Sequence, residues 1–477
     1  MREELKKIVG PENYDEKTRR CFPKDREQAI EVVKLTHANN QKIRVVSTDN
    51  NWGYNTFIKN DFPGLTINLS RLNRIIDFDD ETGVVTLEPG VTQGQLKKFL
   101  DEKGANLIAP TTGAGPDCSI IGNILERGYG VTGYFDSFAS CMSLEAVWRN
   151  GEIYRSPLIN LGGNEVSKLY KWGVGPFFDG LFAQSDYGIC TSMSLALKRR
   201  PSGVMGIMFQ LNKSPETLIP SIRKILQTIG GLLGPIKLTN HHRIVTLLHM
   251  APQLRNLSSP LIQHPTARQF FSECRIPLWH GFFPVYTDKT VLPSIRHLLA
   301  NLMDPYVENL HFVEDGALQH PQEGQFIDQI TGTPSDKALA MAYFRAPKPL
   351  QPHAPFSPEK DGAGILWFAP LIPAKSASVK LYLQTAQEVL DKHGFESAMS
   401  FTSLSDRCFD SALALLFNSH NEEDIARAKT CYEELFARCG SEGFVPYRIP
   451  HSFDFLIKEN RLKTEASLMQ IFEKKAT

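Results

Sequence analysis

Six glycines crowd into residues 110–134 (PTTGAGPDCSIIGNILERGYGVTGY). A cluster that dense commits the backbone to tight turns and to close approaches that side chains would block. Beyond about residue 201 the glycine-rich loops thin out. Long helical stretches then alternate with apolar β-like runs such as 364–371 (GILWFAPL) and 412–417 (ALALLF). A single hydrophobic core stops growing at roughly 250–300 residues. A chain of 477 residues therefore divides, and the change in character near 201 reads as a domain boundary. The prolines of residues 346–358 read as a surface connection or substrate-side loop.

Local patterns give the first part an α+β character. Residues 27–39 (EQAIEVVKLTHAN) carry apolar side chains at helical spacing, and 42–48 (KIRVVST) reads as the strand they feed. Two more strands are expected at 65–69 (LTINL) and 83–87 (GVVTL). Residues 91–103 read as a helix, with Thr92 as its cap, Leu96, Phe99 and Leu100 on one face, and Gly104 at its stop.

Charge and cysteine usage exclude several classes. Lys plus Arg equals Asp plus Glu at 52 each, which leaves no electrostatic footprint for nucleic acid or an anionic membrane, so small molecules are the expected partners. No apolar stretch approaches the ~20 residues of a membrane span. The charged opening MREELKK leads into no signal-like apolar region. Eight scattered cysteines form no C-x-x-C pair and have no histidines at zinc spacing. No metal is expected; the thiols read as small buried hydrophobes in a reduced, cytoplasmic compartment.

Gly128, Gly130 and Gly133 fit the G-x-G-x-x-G dinucleotide fingerprint. They follow a polar Leu-Glu-Arg rather than an apolar strand, however, and precede no helix start, so a Rossmann site is not expected.

Several blocks occur in one order: 67–76 (INLSRLNRII), 85–92 (VTLEPGVT), 119–130 (SIIGNILERGYG), 175–191 (GPFFDGLFAQSDYGICT), 401–405 (FTSLS) and 443–448 (GFVPYR). Together they resemble the vanillyl-alcohol oxidase and para-cresol methylhydroxylase family, over roughly residues 21–456. The resemblance implies an α+β fold: a PCMH-type FAD-binding domain of two α+β subdomains, plus a cap domain with an antiparallel sheet and flanking helices. The FAD-binding domain is then expected at 1–203, the cap at 204–442, and a C-terminal return to the FAD-binding domain at 443–477, with the flavin lying between the two.

The same resemblance implies the site. A pyrophosphate needs inward backbone N–H groups and small residues that let the chain come near. Ser47, Thr48, Asp49, Asn50, Asn51 and Gly53 would supply them from one loop, and Pro110, Thr111, Gly113, Ser119, Gly122, Asn123, Gly128 and Tyr129 from the glycine-dense segment. Gly188 and Ile189 would run beside the flavin. Tyr54, Tyr447 and Arg448 match the family's two tyrosines and arginine, which hold a phenol as phenolate so that hydride loss at the benzylic carbon is eased. Asp117 is the nearest candidate for an acid near the reactive flavin nitrogen.

Asp49 and Asn55 stand where the family has glycines, and Asp49 would repel a pyrophosphate unless it points away. The stretch after 401–405 reads RCFDSAL, without the histidine or tyrosine that bonds the flavin in relatives, so the FAD is expected to be non-covalent. The chain also ends at Thr477 without the family's Pro-Gly-rich tail.

The expected activity is FAD-dependent oxidation of a small phenolic or aromatic alcohol by hydride transfer, with oxygen or a redox protein as electron acceptor; a homodimer is compatible with this. Two alternatives stay open. One is a subunit that keeps the fold for binding or assembly, and the other a flavin oxidase of a carboxylate- or enolate-bearing metabolite.

Overall fold

The computed structural model describes residues 1–54, 62–132, 136–248, 254, 264–318, 320–348, 356, 358–459, 463, 464 and 466. Asn55, Gly133 and most of the proline-rich 346–358 segment lie outside them.

Among the described residues the chain builds two smaller sheets, one large one and a short two-stranded pairing of Leu107–Ile108 with Lys198–Arg199. The first is mixed, in the order Tyr14–Asp15, Arg20–Cys21, Leu65–Asn68, Ile43–Val46. Arg26–Ala38 forms its helix because Asp25 caps the first turn, accepting from the Gln28 amide. Its apolar Val32 and Val33 bury against Ile67 and Leu65 in one core. The second sheet runs antiparallel in the order Ile75–Asp79, Val84–Leu87, Gly188–Ala196, Cys141–Trp148, Ile153–Arg155. Against it lies the helix Gln93–Glu102, whose Thr92 cap closes a reciprocal capping box with Gln95. Leu96 and Leu100 carry that helix into a second core.

The eight-stranded sheet is antiparallel. Its order is Glu308–Glu314, Gly203–Leu211, Trp279–Thr287, Lys237–Asn240, Ala398–Ser403, Cys408–Asn418, Ala363–Phe368, with Leu371–Pro373 also on Cys408–Asn418. Strand alternation decides what each face meets. On one face Ser411 donates to the hydroxyl of Tyr382, on the helix Ser376–His393, and Phe401 packs its ring on the same tyrosine. The other face carries Lys237, Thr402 and Asp410, paired in one row across three neighbouring strands. The segment after Gly443 then docks at the edge of this sheet. Leu371 donates to the Val445 carbonyl and Tyr447 to that of Ala369, which fixes Tyr447 and Arg448 beside the row.

No helix among the described residues is long and apolar enough to cross a membrane. Six of the eight cysteines are buried and all are free, so the reading of small buried hydrophobes holds for most of them.

Candidate active site

A cavity of about 580 Å³ opens between the two smaller sheets and the large one, within the usual 300–1,000 Å³ of small-molecule sites. One wall is the loop after strand Ile43–Val46, contributing Ser47, Thr48, Asp49, Asn50, Asn51 and Tyr54. The glycine-dense segment contributes Gly113, Ser119, Gly122, Asn123, Gly128 and Tyr129, and Gly188 and Ile189 come from the second sheet. Asp410, Ala412, Trp367 and Lys237 face them from the large sheet, with Arg243, Tyr447 and Arg448.

The loop wall is tied to the glycine-dense segment by polar contacts. Asn50 donates to the Asp117 carbonyl (3.0 Å), Trp52 to that of Ala114 (3.2 Å), and the Ser119 amide to the Thr48 hydroxyl (3.2 Å). Ser119 in turn accepts from the Gly122 amide (2.9 Å). A Cβ on Gly122 would lie 3.2 Å from the Ser47 hydroxyl, so glycine is what lets these two strips close up. Asp49, with φ 62° in the left-handed region, is ion-paired with Arg20, and Arg44 stands close enough to feel its charge. Two guanidiniums against one carboxylate leave this wall net positive, which answers the expected repulsion. The wall fits the anionic half of a dinucleotide.

Four residues expected at the site lie off the cavity lining. Gly53 (φ +80°) is a glycine because a Cβ there would come 2.3 Å from Trp367 Cδ1; Trp367 also donates to the Gly53 and Trp52 carbonyls. Its small size therefore serves packing between the loop and the large sheet. Gly53→Ala should cost about 1–3 kcal/mol, from left-handed strain and the displaced indole; urea unfolding of the flavin-loaded protein measures it. Pro110 and Thr111 line a minor crevice of about 20 Å³. Asp117 is exposed and engages the loop only through its carbonyl. Gly188 lines the cavity, but its missing side chain makes room for the Val147 carbonyl, 2.4 Å from where a Cβ would sit. Gly128 and Gly130 are likewise filled by the Asn123 side chain and the Thr111 carbonyl, and the element before them is the helix Ile120–Leu125 rather than a strand. The fingerprint spacing is a matter of local packing.

Tyr54, Tyr447 and Arg448 come together. The Arg448 guanidinium lies 3.9 Å above the Tyr54 ring, with Nε 2.9 Å from Glu126 and Nη2 donating to Asn51 Oδ1 at 2.8 Å. The Tyr54 and Tyr447 phenols are close enough to influence each other's ionisation, and Tyr129 packs against Tyr447 with ring centroids 5.7 Å apart. Burial raises the Tyr54 phenol to about 12, against the opposing pull of Arg448, and pushes Tyr447 well above its usual 10. Both hydroxyls stay protonated at neutral pH and can donate.

The carboxylate of the site is Asp410. It is fully buried, neither oxygen has a hydrogen-bond partner among the described residues, and desolvation holds its carboxyl well above the ordinary range. Its charge is felt at both Tyr54 and Tyr447. An acid set within an otherwise apolar β run, 408–418 (CFDSALALLFN), is the sequence signal that could have found it. His420 and Tyr432, the residues nearest to the expected attachment position, stand off the cavity; Cys118 and His451 line it.

Residues 19–156 match the family model described as FAD binding domain. The chain is 28% identical over 439 residues to 1'-carboxy-chondrochloren decarboxylase of Chondromyces crocatus, covering 87% of this chain and 80% of that protein. It is 26% identical over 442 residues to the 4-cresol dehydrogenase [hydroxylating] flavoprotein subunit of Pseudomonas putida, covering 90% and 79%. The crystal structure of p-cresol methylhydroxylase with substrate bound superposes with a TM-score of 0.81 at 20% identity, over 94% of this chain and 88% of that one.

Proposed function

We propose that this chain, an FAD-binding oxidoreductase of the p-cresol methylhydroxylase type and by class an oxidase or dehydrogenase, oxidises a small phenolic substrate at its benzylic carbon. The observation that carries this reading is the cluster of Tyr54, Tyr447 and Arg448 on the cavity wall, beside the buried Asp410. In this reading residues 1–203 and 443–477 hold the FAD and 204–442 cap it. Ser47 to Asn51, Gly113, Ser119 and Gly122 face its pyrophosphate, with Arg20 and Arg44 balancing the charge.

Bound FAD supplies a hydride acceptor. The residues of the chain do the rest. Tyr54 and Tyr447 donate to the phenolic oxygen, and Arg448, aimed by Glu126 and Asn51, stabilises negative charge there. Electron density returned from that oxygen to the ring eases hydride departure from the para carbon substituent. Asp410, once deprotonated, accepts a proton from the phenol directly or through the tyrosine pair. Trp367 and the sheet exclude water from one side of the ring.

Anaerobic mixing with 4-alkylphenols and 4-hydroxybenzyl alcohols tests the reading: the flavin should bleach with these and not with the matching alkylbenzenes. No bleaching by any of the phenols would sink it. Stoichiometric peroxide on readmitting air would make oxygen the acceptor; its absence would point to a redox protein.

Acid precipitation should release the flavin into the supernatant, where chromatography should identify it as FAD. Flavin retained in the pellet would overturn the non-covalent assignment and direct attention to His451 and Cys118.

A further inference from the structure

We infer that Lys237 and Arg243 form a subsite for a carboxylate carried by the substrate, so that the natural substrate is a para-hydroxyphenyl compound whose side chain ends in an acid. The inference deepens the phenol-oxidation reading and rests on it.

Placement comes from the sheet. Lys237 pairs with Thr402, which pairs with Asp410, so all three share the cavity face. Arg243 follows on the helix His241–Leu248, which starts directly after strand Lys237–Asn240, and folds back over the same face. Its guanidinium is 5.0 Å from the Trp367 ring, and Nη1 donates to Ser400 Oγ (2.8 Å) and the Ala412 carbonyl (2.7 Å). All of these partners are neutral. Arg448 and Arg20, which also line this cavity, contrast with it, since Arg448 has Glu126 and Arg20 has Asp49. Among the described residues neither Lys237 nor Arg243 forms an ion pair; the only charged influence on Lys237 is the repulsion of Arg243.

Two like charges placed together out of bulk water are costly unless an anion completes the set. Burial, and then the Arg243 charge, bring the Lys237 ammonium down to about 7. Asp410 does not fill the gap, because its own burial favours the neutral acid. A carboxylate suits the two donors: the planar fork of Arg243 takes one edge, and the ammonium of Lys237 completes the pair as a point charge. A flavin phosphate is the other anion available. Arg20 and Arg44 already serve that chemistry on the loop wall, whereas Lys237 stands on the large sheet and Arg243 on the helix packed over it, where Arg243 lies near Tyr54. The subsite thus lies in the same cavity as Tyr54, within reach of the side chain of a substrate ring held there.

Three ligands of matched shape test this: 3-(4-hydroxyphenyl)propionate, its methyl ester and 4-propylphenol. Each is titrated into the flavin-loaded protein and followed by perturbation of the flavin spectrum. The wild type should bind the acid at least ~10-fold more tightly than the ester. Lys237→Gln should bring that ratio towards one and Lys237→Arg should retain it, with binding of the ester reporting that each variant is folded. Equal or weaker binding of the acid by the wild type overturns the subsite without any variant. A ratio unmoved in Lys237→Gln, with the flavin midpoint potential shifted in the absence of ligand, also overturns it and gives the cations to the flavin. Binding of 4-propylphenol with no preference for the acid refutes the subsite alone; no binding of any of the three refutes the phenol reading with it.

Discussion

Asp410→Asn is expected to lower kcat/KM by about 10²–10³-fold, the scale of a lost proton acceptor, while making the protein more stable above neutral pH. The two effects share one cause. Asp410 is buried with no hydrogen-bond partner among the described residues, and its carboxyl sits well above the ordinary range because the anion is desolvated. Between the unfolded value near 3.8 and the raised folded value, the native state binds more protons than the unfolded chain, so stability falls as pH rises through that window. Asparagine keeps the shape and carries no charge to desolvate. Its stabilisation over the wild type should therefore be absent near pH 4, grow as pH rises, and be complete above the folded pKa. Melting temperatures of the flavin-loaded proteins at pH 5 and pH 8, with steady-state rates on a 4-alkylphenol, check both halves. An unchanged kcat/KM would remove Asp410 from the chemistry. Equal stability at pH 8 would mean that the carboxylate has a partner in the loaded protein.

Arg448→Lys is expected to lower kcat/KM by about 10–1,000-fold, and more through kcat than through KM. Three contacts hold the guanidinium: Glu126 at Nε, Asn51 at Nη2, and the Tyr54 ring beneath it. Lysine keeps the charge but cannot meet Glu126 and Asn51 in one plane while presenting a flat face to Tyr54. The charge would then be misplaced just where negative charge must be stabilised in the transition state. Glu126, left with a mobile partner, would be free to turn its carboxylate into the site. The measurement is pre-steady-state flavin reduction, which separates the rate of hydride transfer from substrate binding. A reduction rate like that of the wild type, whatever the change in KM, would place Arg448 outside the reacting centre.

The match between sequence and structure is best where the determinants are local. The helix at Gln93–Glu102 was readable because Thr92 and Gln95 lie within one turn of each other and the apolar positions repeat at helical spacing. Strands Leu65–Asn68 and Val84–Leu87 were readable as short β-branched runs. The rejection of the dinucleotide fingerprint rested on its neighbours in the chain, and the structure explains each described glycine of it by packing. Nearness along the chain is not nearness in space: Asp117 adjoins wall residues such as Cys118 and Ser119, yet it is exposed and off the cavity lining.

By itself, then, the sequence determined the α+β character, the ordered blocks that carry the resemblance, and the candidacy of Tyr54, Tyr447 and Arg448. What only the tertiary structure decided is which charges have partners. Arg448 meets Asn51 from 397 positions away, so its orientation is set by contacts that no local pattern encodes. Asp410, Lys237 and Arg243 are ordinary letters in the chain, and strand register with helix packing turns them into a buried acid, a half-buried lysine and a buried arginine around one cavity. Charge burial depends on everything packed around a group rather than on its neighbours in sequence. For that reason the electrostatics of the site became legible only once the large sheet had closed over the loop wall.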